Sequence, residues 1–323
     1  MTASVRVGVI GTSFITDAIH LPNLKSHPQA DVVALCGRNR ERATELAVKY
    51  GIPQVFTDYQ DMLTHVGLDA VVIATPDDQH YPMTMAALDA GLHVLCEKPL
   101  ALTQEQAQAM YEKAEAAGVK HMTFFSYRWM PQYQYVRELI EQGYLGRPFH
   151  CSVRYVGDYA RGRDYSWRFD RQRATGALGG LGSHAIDLAR WFCGDIARVS
   201  AHLGTYVMRA GPEGGMLDPA NDAAVLALEY ANGAHGTIQV SAVAHTAERG
   251  QEQHIILHGE QGTLEPSWPL SLGAVLLGAK QGEERFQELQ IPARIWGDVE
   301  EGCRSGIGGS RTCVPSRWAT GCS

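Results

Sequence analysis

The sequence predicts an α/β chain of two domains, a doubly wound parallel sheet followed by an α+β domain with an open, largely antiparallel sheet. Three observations predict this. Short apolar runs alternate with helix-like stretches from Val5 to about residue 123, as crossover connections between parallel strands require. Most of those runs end abruptly at glycine, proline or a charged residue. Beyond His150 the pattern changes to β-rich runs, with a hairpin signal at Asn232-Gly233.

The elements justify this in order. Val5 to Ile10 is a β-rich run that ends at Gly11. Thr12, Ser13, Phe14 and Ile15 follow, then a helix-like stretch from Asp17. A strand, a glycine turn and a helix start make a cradle in which backbone N–H groups and the helix dipole face a phosphate. The glycine pattern is degraded, because Ser13 and Thr16 stand where further small residues are usual. Asp31 to Cys36 is the second strand, and it ends in Gly37-Arg38-Asn39-Arg40 with no acid. An acid there would hold a ribose hydroxyl, whereas Arg38 offers a donor fork to a 2′-phosphate. The expected cofactor is therefore NADP in preference to NAD.

Glu41 to Tyr50 reads as a helix, Val55 to Thr57 as a strand and Tyr59 to His65 as a helix. Ala70 to Ala74 is continuously apolar, which marks a buried parallel strand. It stops at Thr75-Pro76. A helix is expected over Tyr81 to Ala90, closed by Gly91. His93 to Cys96 is a further strand, and Glu97-Lys98-Pro99 turns the backbone, because proline cannot continue a central strand. Lys98 thus stands at the carboxyl edge of the sheet, the edge where ligands bind. Gln104 to Ala117 is a helix ended by Gly118, and Val119 to Phe125 the last strand of this domain.

The second domain is expected from residue 124 to 301. Arg137 to Gln142 lies on a helix, His150 to Val156 on a strand, and Trp167-Arg168 in the loop that follows. Gly182 to Phe192 is a helix with His184 in its first turn. Strands follow at Val199 to Tyr206, Ala223 to Tyr230, Ala234 to Ala242 and His254 to His258. His254 and His258 share a strand face but stand roughly 13 Å apart, too far for one metal ion. No metal is expected.

With 323 residues, 45% apolar and 20% charged, the chain has the composition of a globular protein. A net charge of −7 argues against nucleic acid as a partner. No apolar run approaches a membrane span and no secretory signal is visible, so a cytoplasmic protein is expected. Seven scattered cysteines fit reduced thiols. From Gly302 to Ser323 there are five glycines, three cysteines and three arginines with no acid and no periodicity. That stretch is expected to be a disordered tail, and a reading frame diverging near Glu301 would explain it.

The chain resembles the glucose-fructose oxidoreductase, inositol dehydrogenase and rhizopine-catabolism (Gfo/Idh/MocA) family. The residues that carry the resemblance are Val7 to Thr12, Ala74-Thr75-Pro76 with His80, and Ala90 to Pro99. Tyr127-Arg128, Trp167-Arg168 and Gly182 to Leu188 continue it, so that it runs from Val5 to about Trp296. It implies a Rossmann dinucleotide-binding domain over residues 1–123. It also implies a second domain whose sheet joins copies into a homodimer or homotetramer. The implied cofactor contacts are Gly11, Thr12, Ser13, Phe14, Ile15, Arg38, Thr75, Pro76, His80, Glu97, Lys98, Arg128, Trp167 and Arg168, with the Trp167 loop closing over the nicotinamide.

The implied reaction moves a hydride between a nicotinamide and a secondary alcohol or ketone of a sugar or cyclic polyol. Lys98 and His184 are the implied proton-handling groups, one stabilising charge on oxygen and the other titrating near neutrality. Many relatives place an aspartate four residues before this histidine, where Gly180 stands. Asp187, on the same helix face as His184, is the acid left to orient the ring. Two alternatives remain open at this stage. One is a cofactor-retaining glycosidase, and the other a dinucleotide-binding protein without catalysis.

Overall fold

The computed structural model describes residues 4–65, 67–270 and 273–296, and the expected tail at 302–323 lies outside them. The chain divides into two compact units, the first over Met1–Phe124 and the second beginning at Phe125. Among the described residues no helix is long and apolar enough to cross a membrane.

The first unit is built on six parallel strands: β1 (Val5–Ile10), β2 (Ala30–Cys36), β3 (Gln54–Phe56), β4 (Ala70–Ile73), β5 (His93–Cys96) and β6 (His121–Thr123). Their spatial order is β3-β2-β1-β4-β5-β6. The chain runs outward from β1 to β3, then returns beside β1 and runs outward the other way. The order therefore reverses between β1 and β4, which opens a crevice at their carboxyl ends. Helices α1 (Leu21–Ser26) and α2 (Arg40–Tyr50) cover one sheet face through Leu21, Leu46 and Ala47. Helices α3 (Tyr59–His65), α4 (Asp77–Asp89) and α5 (Gln104–Ala117) cover the other, through Met62, Ala87, Leu88 and Ala114.

Helix α4 begins at Asp77, ahead of the expected Tyr81, and keeps Pro82 in its interior. Pro76 supplies an extended N-cap, and Asp77 and Asp78 in the first turn complement the helix dipole. Those signals outweigh the interior proline.

The second unit contains α6 (Pro131–Glu141), β7 (Pro148–Val156), α7 (Ser183–Cys193), β8 (Ile196–Gly204), β9 (Ala223–Tyr230) and β10 (His235–Ser241). It continues with β11 (Glu252–Gly259), β12 (Gly262–Pro269), β13 (Val275–Lys280) and β14 (Gln287–Glu288). The sheet order is β14-β13-β12-β11-β7-β10-β9-β8. Every neighbouring pair is antiparallel except β7 with β10. Asn232-Gly233 forms the expected hairpin, with Tyr230 N donating to Ala234 O at 2.9 Å. Strand β8 ends at Gly204, two residues before the expected Tyr206, because the N–H groups of Tyr206 and Val207 leave the ladder for Asp222 Oδ2, each at 2.7 Å. Helix α6 starts six residues before the expected Arg137, with Pro131 at its first position, where a fixed φ favours the helix.

One face of this sheet packs Cys151, Val153, Tyr155, Leu226 and Ile238 against Tyr133 and Val136 of α6 and Leu188 and Phe192 of α7. The opposite face carries a row in register across six strands: Arg198, Glu229, His235, His150, His258 and Thr263. The His150 ring lies 4.8 Å from that of His235 and 6.0 Å from that of His258. Arg198 pairs with Glu229, and His258 Nδ1 meets Thr263 Oγ1 at 2.8 Å.

Burial, reinforced by the facing imidazoles of His235 and His258, pushes His150 below the ordinary imidazole value. The unfolded chain therefore binds this proton more readily, and folded-state stability is lost as pH falls through about 6.5. Melting curves across that range should show a shallower decline for His150→Asn than for the parent. Equal slopes would remove His150 from the acid response.

Candidate functional site

In the first unit, the loop expected to cradle a phosphate is built by close approach of β1 to β4. Gly11 has φ +117°, and a Cβ there would lie 2.3 Å from Ala74 O, so no side chain fits. Gly11 N donates to Cys36 O at 2.9 Å, which ties the loop to the end of β2 as well. Thr12 packs against Gly37, where a Cβ would lie 2.4 Å from Thr12 Cγ2. Ser13 caps the helix that follows, with Thr16 N donating to Ser13 Oγ at 3.4 Å. That helix begins at Phe14, earlier than the expected Asp17, and widens into a π-turn over Thr16–His20 before α1. Phe14 is 73% exposed. Ile15, beside it, is half-buried.

Arg38 is exposed just past β2. Asn39 is occupied by capping α2, its Oδ1 accepting from Arg42 N at 3.0 Å. Arg42 is held by Asp17 and Glu45. On the far side of the crevice, Thr75 and Pro76 follow β4. Thr75 Oγ1 is buried without a hydrogen-bond partner among the described residues. A glycine that excludes any side chain, a capped helix start and an orphaned hydroxyl all border the β1–β4 crevice. These residues fit a dinucleotide.

Lys98 follows β5, next to β4 in the sheet. Its backbone N–H donates to Glu97 Oε2 at 3.2 Å, and Glu97 Oε1 meets His20 Nε2 at 2.9 Å. Burial pushes the Glu97 carboxyl up, but His20 and Lys98 outweigh it and hold the group below the usual range. Glu97 is thus an internal strut for the Lys98 turn. His80 is fully buried, with Nδ1 2.8 Å from Pro99 O and Nε2 3.0 Å from Thr75 O. It stitches the turn after β4 to the turn after β5 and gives both ring nitrogens to backbone.

In the second unit, His184 lies in the first turn of α7. The chain enters that helix through a π-turn at Leu178–Gly182 in place of the expected start at Gly182. The His184 ring stacks on Tyr127 at 3.9 Å and 18°, with Phe125 edge-on at 6.1 Å. Tyr127 Oη meets Tyr155 Oη at 2.6 Å, and Tyr155 Oη donates to Gln251 Oε1 at 3.0 Å. Asp187 does not take the orienting role expected of it. Its two oxygens accept the fork of Arg128, Nε at 2.8 Å and Nη2 at 2.6 Å, because an arginine fork matches a carboxylate better than a single imidazole N–H does. Arg128 also lies over the Trp191 ring at 5.6 Å. Trp167 and Arg168 occupy a short 3₁₀ turn, the guanidinium 4.6 Å above the indole.

His20, Tyr127 and Tyr155 are parts of these arrangements that the sequence reading misses. Only Tyr127 carried a signal, standing next to Arg128 within the family resemblance.

Comparison with known proteins agrees with this fold. An oxidoreductase family profile described as an NAD-binding Rossmann fold matches residues 5–125, and a GFO/IDH/MocA C-terminal domain profile matches 133–265. An uncharacterised oxidoreductase of Synechocystis is 34% identical over 267 residues, 81% of this chain and 71% of that protein. Levoglucosan dehydrogenase of Pseudarthrobacter phenanthrenivorans is 31% identical over 290 residues, 81% of this chain and 73% of that protein. The structure of a levoglucosan dehydrogenase in complex with NADH and levoglucosan matches with TM-score 0.81 and 29% identity, over 88% of this chain and 80% of that one. Matched through both of its units, the chain belongs to the Gfo/Idh/MocA oxidoreductases and carries their NAD-binding Rossmann domain.

Proposed function

We propose that this protein is an NAD(P)-dependent dehydrogenase acting on a secondary hydroxyl of a sugar or cyclic polyol. The observation that carries this is the placement of Gly11, Thr75-Pro76 and Lys98 after three adjacent parallel strands at one sheet edge. When bound there, the nicotinamide supplies the hydride acceptor. Lys98 provides an ammonium that stabilises negative charge developing on the substrate oxygen. His184 takes or returns the hydroxyl proton, its ring held in plane by Tyr127. Arg128, Trp167 and Arg168 are proposed to border the nicotinamide side of the cofactor. The face of the eight-stranded sheet opposite α6 and α7 is the surface proposed to pair copies into a homodimer or homotetramer. The buried free thiols Cys36, Cys96, Cys151 and Cys193 support a reducing, cytoplasmic setting.

A panel of sugars and polyols, offered with NAD and with NADP and followed by reduced-nicotinamide absorbance, tests the reading. Turnover of at least one member is expected. Binding of cofactor with no turnover across the panel would sink it.

NADP is the proposed preference. No carboxylate stands at Gly37-Arg38 to repel a 2′-phosphate, and among the described residues Arg38 makes no ion pair that would divert its fork. A charge-assisted contact contributes about 1.5–3 kcal/mol, so a preference of tenfold or more is expected. Dissociation constants for both cofactors should show Arg38→Ala weakening NADP alone. Equal weakening of both would mean that Arg38 touches the shared part of the cofactors.

A further inference from the structure

An imidazole that handles a proton needs something to fix the turn of its ring, because the torsion that rotates the ring has no sharp preference of its own. A carboxylate often does this by holding one ring nitrogen. In this chain the acid on the same helix face is committed elsewhere, since both oxygens of Asp187 hold the Arg128 fork. The flat contact on the His184 ring is a phenol. Tyr127 lies at 18° to it with the ring centres 3.9 Å apart, and the Trp268 ring stands edge-on to Tyr127 at 5.8 Å and 78°.

That phenol is in turn fixed at its far end. Tyr127 Oη lies 2.6 Å from Tyr155 Oη, and Tyr155 Oη donates to Gln251 Oε1 at 3.0 Å. An amide oxygen only accepts, and a phenol carries one proton. With the Tyr155 proton given to Gln251, the hydrogen of the 2.6 Å contact comes from Tyr127. The chain of donors therefore runs one way, from Tyr127 to Tyr155 to Gln251. Burial, with Tyr127 beside it, holds the Tyr155 phenol well above its ordinary value, so it keeps its proton throughout the neutral range. Tyr155 is 2% exposed and stands on β7, flanked in the sheet by β11 and β10, which makes its hydroxyl a rigid anchor.

We propose that Tyr155 and Gln251 are positioning residues for the reaction, fixing the plane of the His184 ring through Tyr127. The inference rests on the reading of His184 as a proton-handling group and adds the device that orients it. A turned imidazole carries its reacting nitrogen away from the substrate hydroxyl, which costs rate and leaves cofactor affinity alone. The two hydrogen bonds act in series on one ring, so breaking either one disables the device.

The test measures kcat, KM and cofactor Kd on a substrate that the parent turns over, for Tyr155→Phe, Tyr127→Phe and the double variant, with His184→Asn beside them. Tyr155→Phe should lower kcat about three- to tenfold, the loss of one neutral hydrogen bond, with cofactor Kd unchanged. The double variant should lose no more than the worse of the two single variants. Gln251→Leu, at a half-buried position where folding is less at stake, should lower kcat likewise. Gln251→Glu, which keeps an acceptor for the Tyr155 proton, should recover most of that loss. With isotope-labelled histidine, the His184 ring signal is identified by its disappearance in His184→Asn. It should move in Tyr155→Phe and Gln251→Leu and return toward the parental position in Gln251→Glu. A kcat within about twofold of the parent in both Tyr155→Phe and Gln251→Leu overturns the proposal, as do single losses that multiply in the double variant. The ring signal does not depend on turnover, so the two readings fail separately. A signal unmoved in Tyr155→Phe overturns the positioning, and a parental kcat in His184→Asn overturns the assignment of His184 on which it rests.

Discussion

Lys98→Ala should lose catalytic turnover by about 2–4 kcal/mol, or roughly 30- to 1,000-fold in kcat, while still folding and binding cofactor. The turn itself is held by groups other than the Lys98 ammonium. His80 bridges Thr75 O and Pro99 O, and His20 and the Lys98 backbone N–H hold Glu97. Removing the ammonium should leave that frame in place, so the loss belongs to kcat and not to cofactor Kd. Single-turnover and steady-state rates, with cofactor affinity measured by fluorescence titration, separate the two. A folded Lys98→Ala protein with near-parental kcat would take Lys98 out of the mechanism.

Asp222→Ala should destabilise the second unit by about 3–5 kcal/mol, the cost of leaving a buried charge without its partner. Asp222 is fully buried, and Arg209 is 2% exposed. Asp222 Oδ1 accepts from Arg209 Nη1 at 2.8 Å, while Oδ2 accepts the N–H groups of Tyr206 and Val207. The alanine would strand the guanidinium, which lies 4.1 Å from the Phe169 ring centre, and two backbone donors besides. Urea unfolding followed by tryptophan fluorescence measures the loss. A change below about 1 kcal/mol would mean that water reaches the site and takes over the hydrogen bonds. Because Arg209 also holds Ala160 O, the same variant should loosen the loop after β7.

The sequence by itself determined the first unit and the edge at which it binds. Strands β1 and β5 and helices α3 and α5 lie where their punctuation places them, because glycine, proline and caps act within a few residues. The same local signals exposed Gly11, Thr75-Pro76 and Lys98, since each marks where a parallel strand stops. In the second unit β9 was equally legible, as a β-rich run from Ala223 to Tyr230. Strands β12 to β14 were not, because prolines at 266 and 269 and scattered glycines erase the alternation, and each becomes a strand through its neighbour, β12 on β11, β13 on β12 and β14 on β13. The tertiary structure alone decided which charges and rings meet. His20 and Glu97 are 77 residues apart, Arg128 and Asp187 are 59 apart, and His184 finds Tyr127 across a helix and a strand. Local sequence sets backbone geometry over one turn or one strand. A side-chain partner depends on which elements become neighbours, and that follows only once the cores of both sheets are packed.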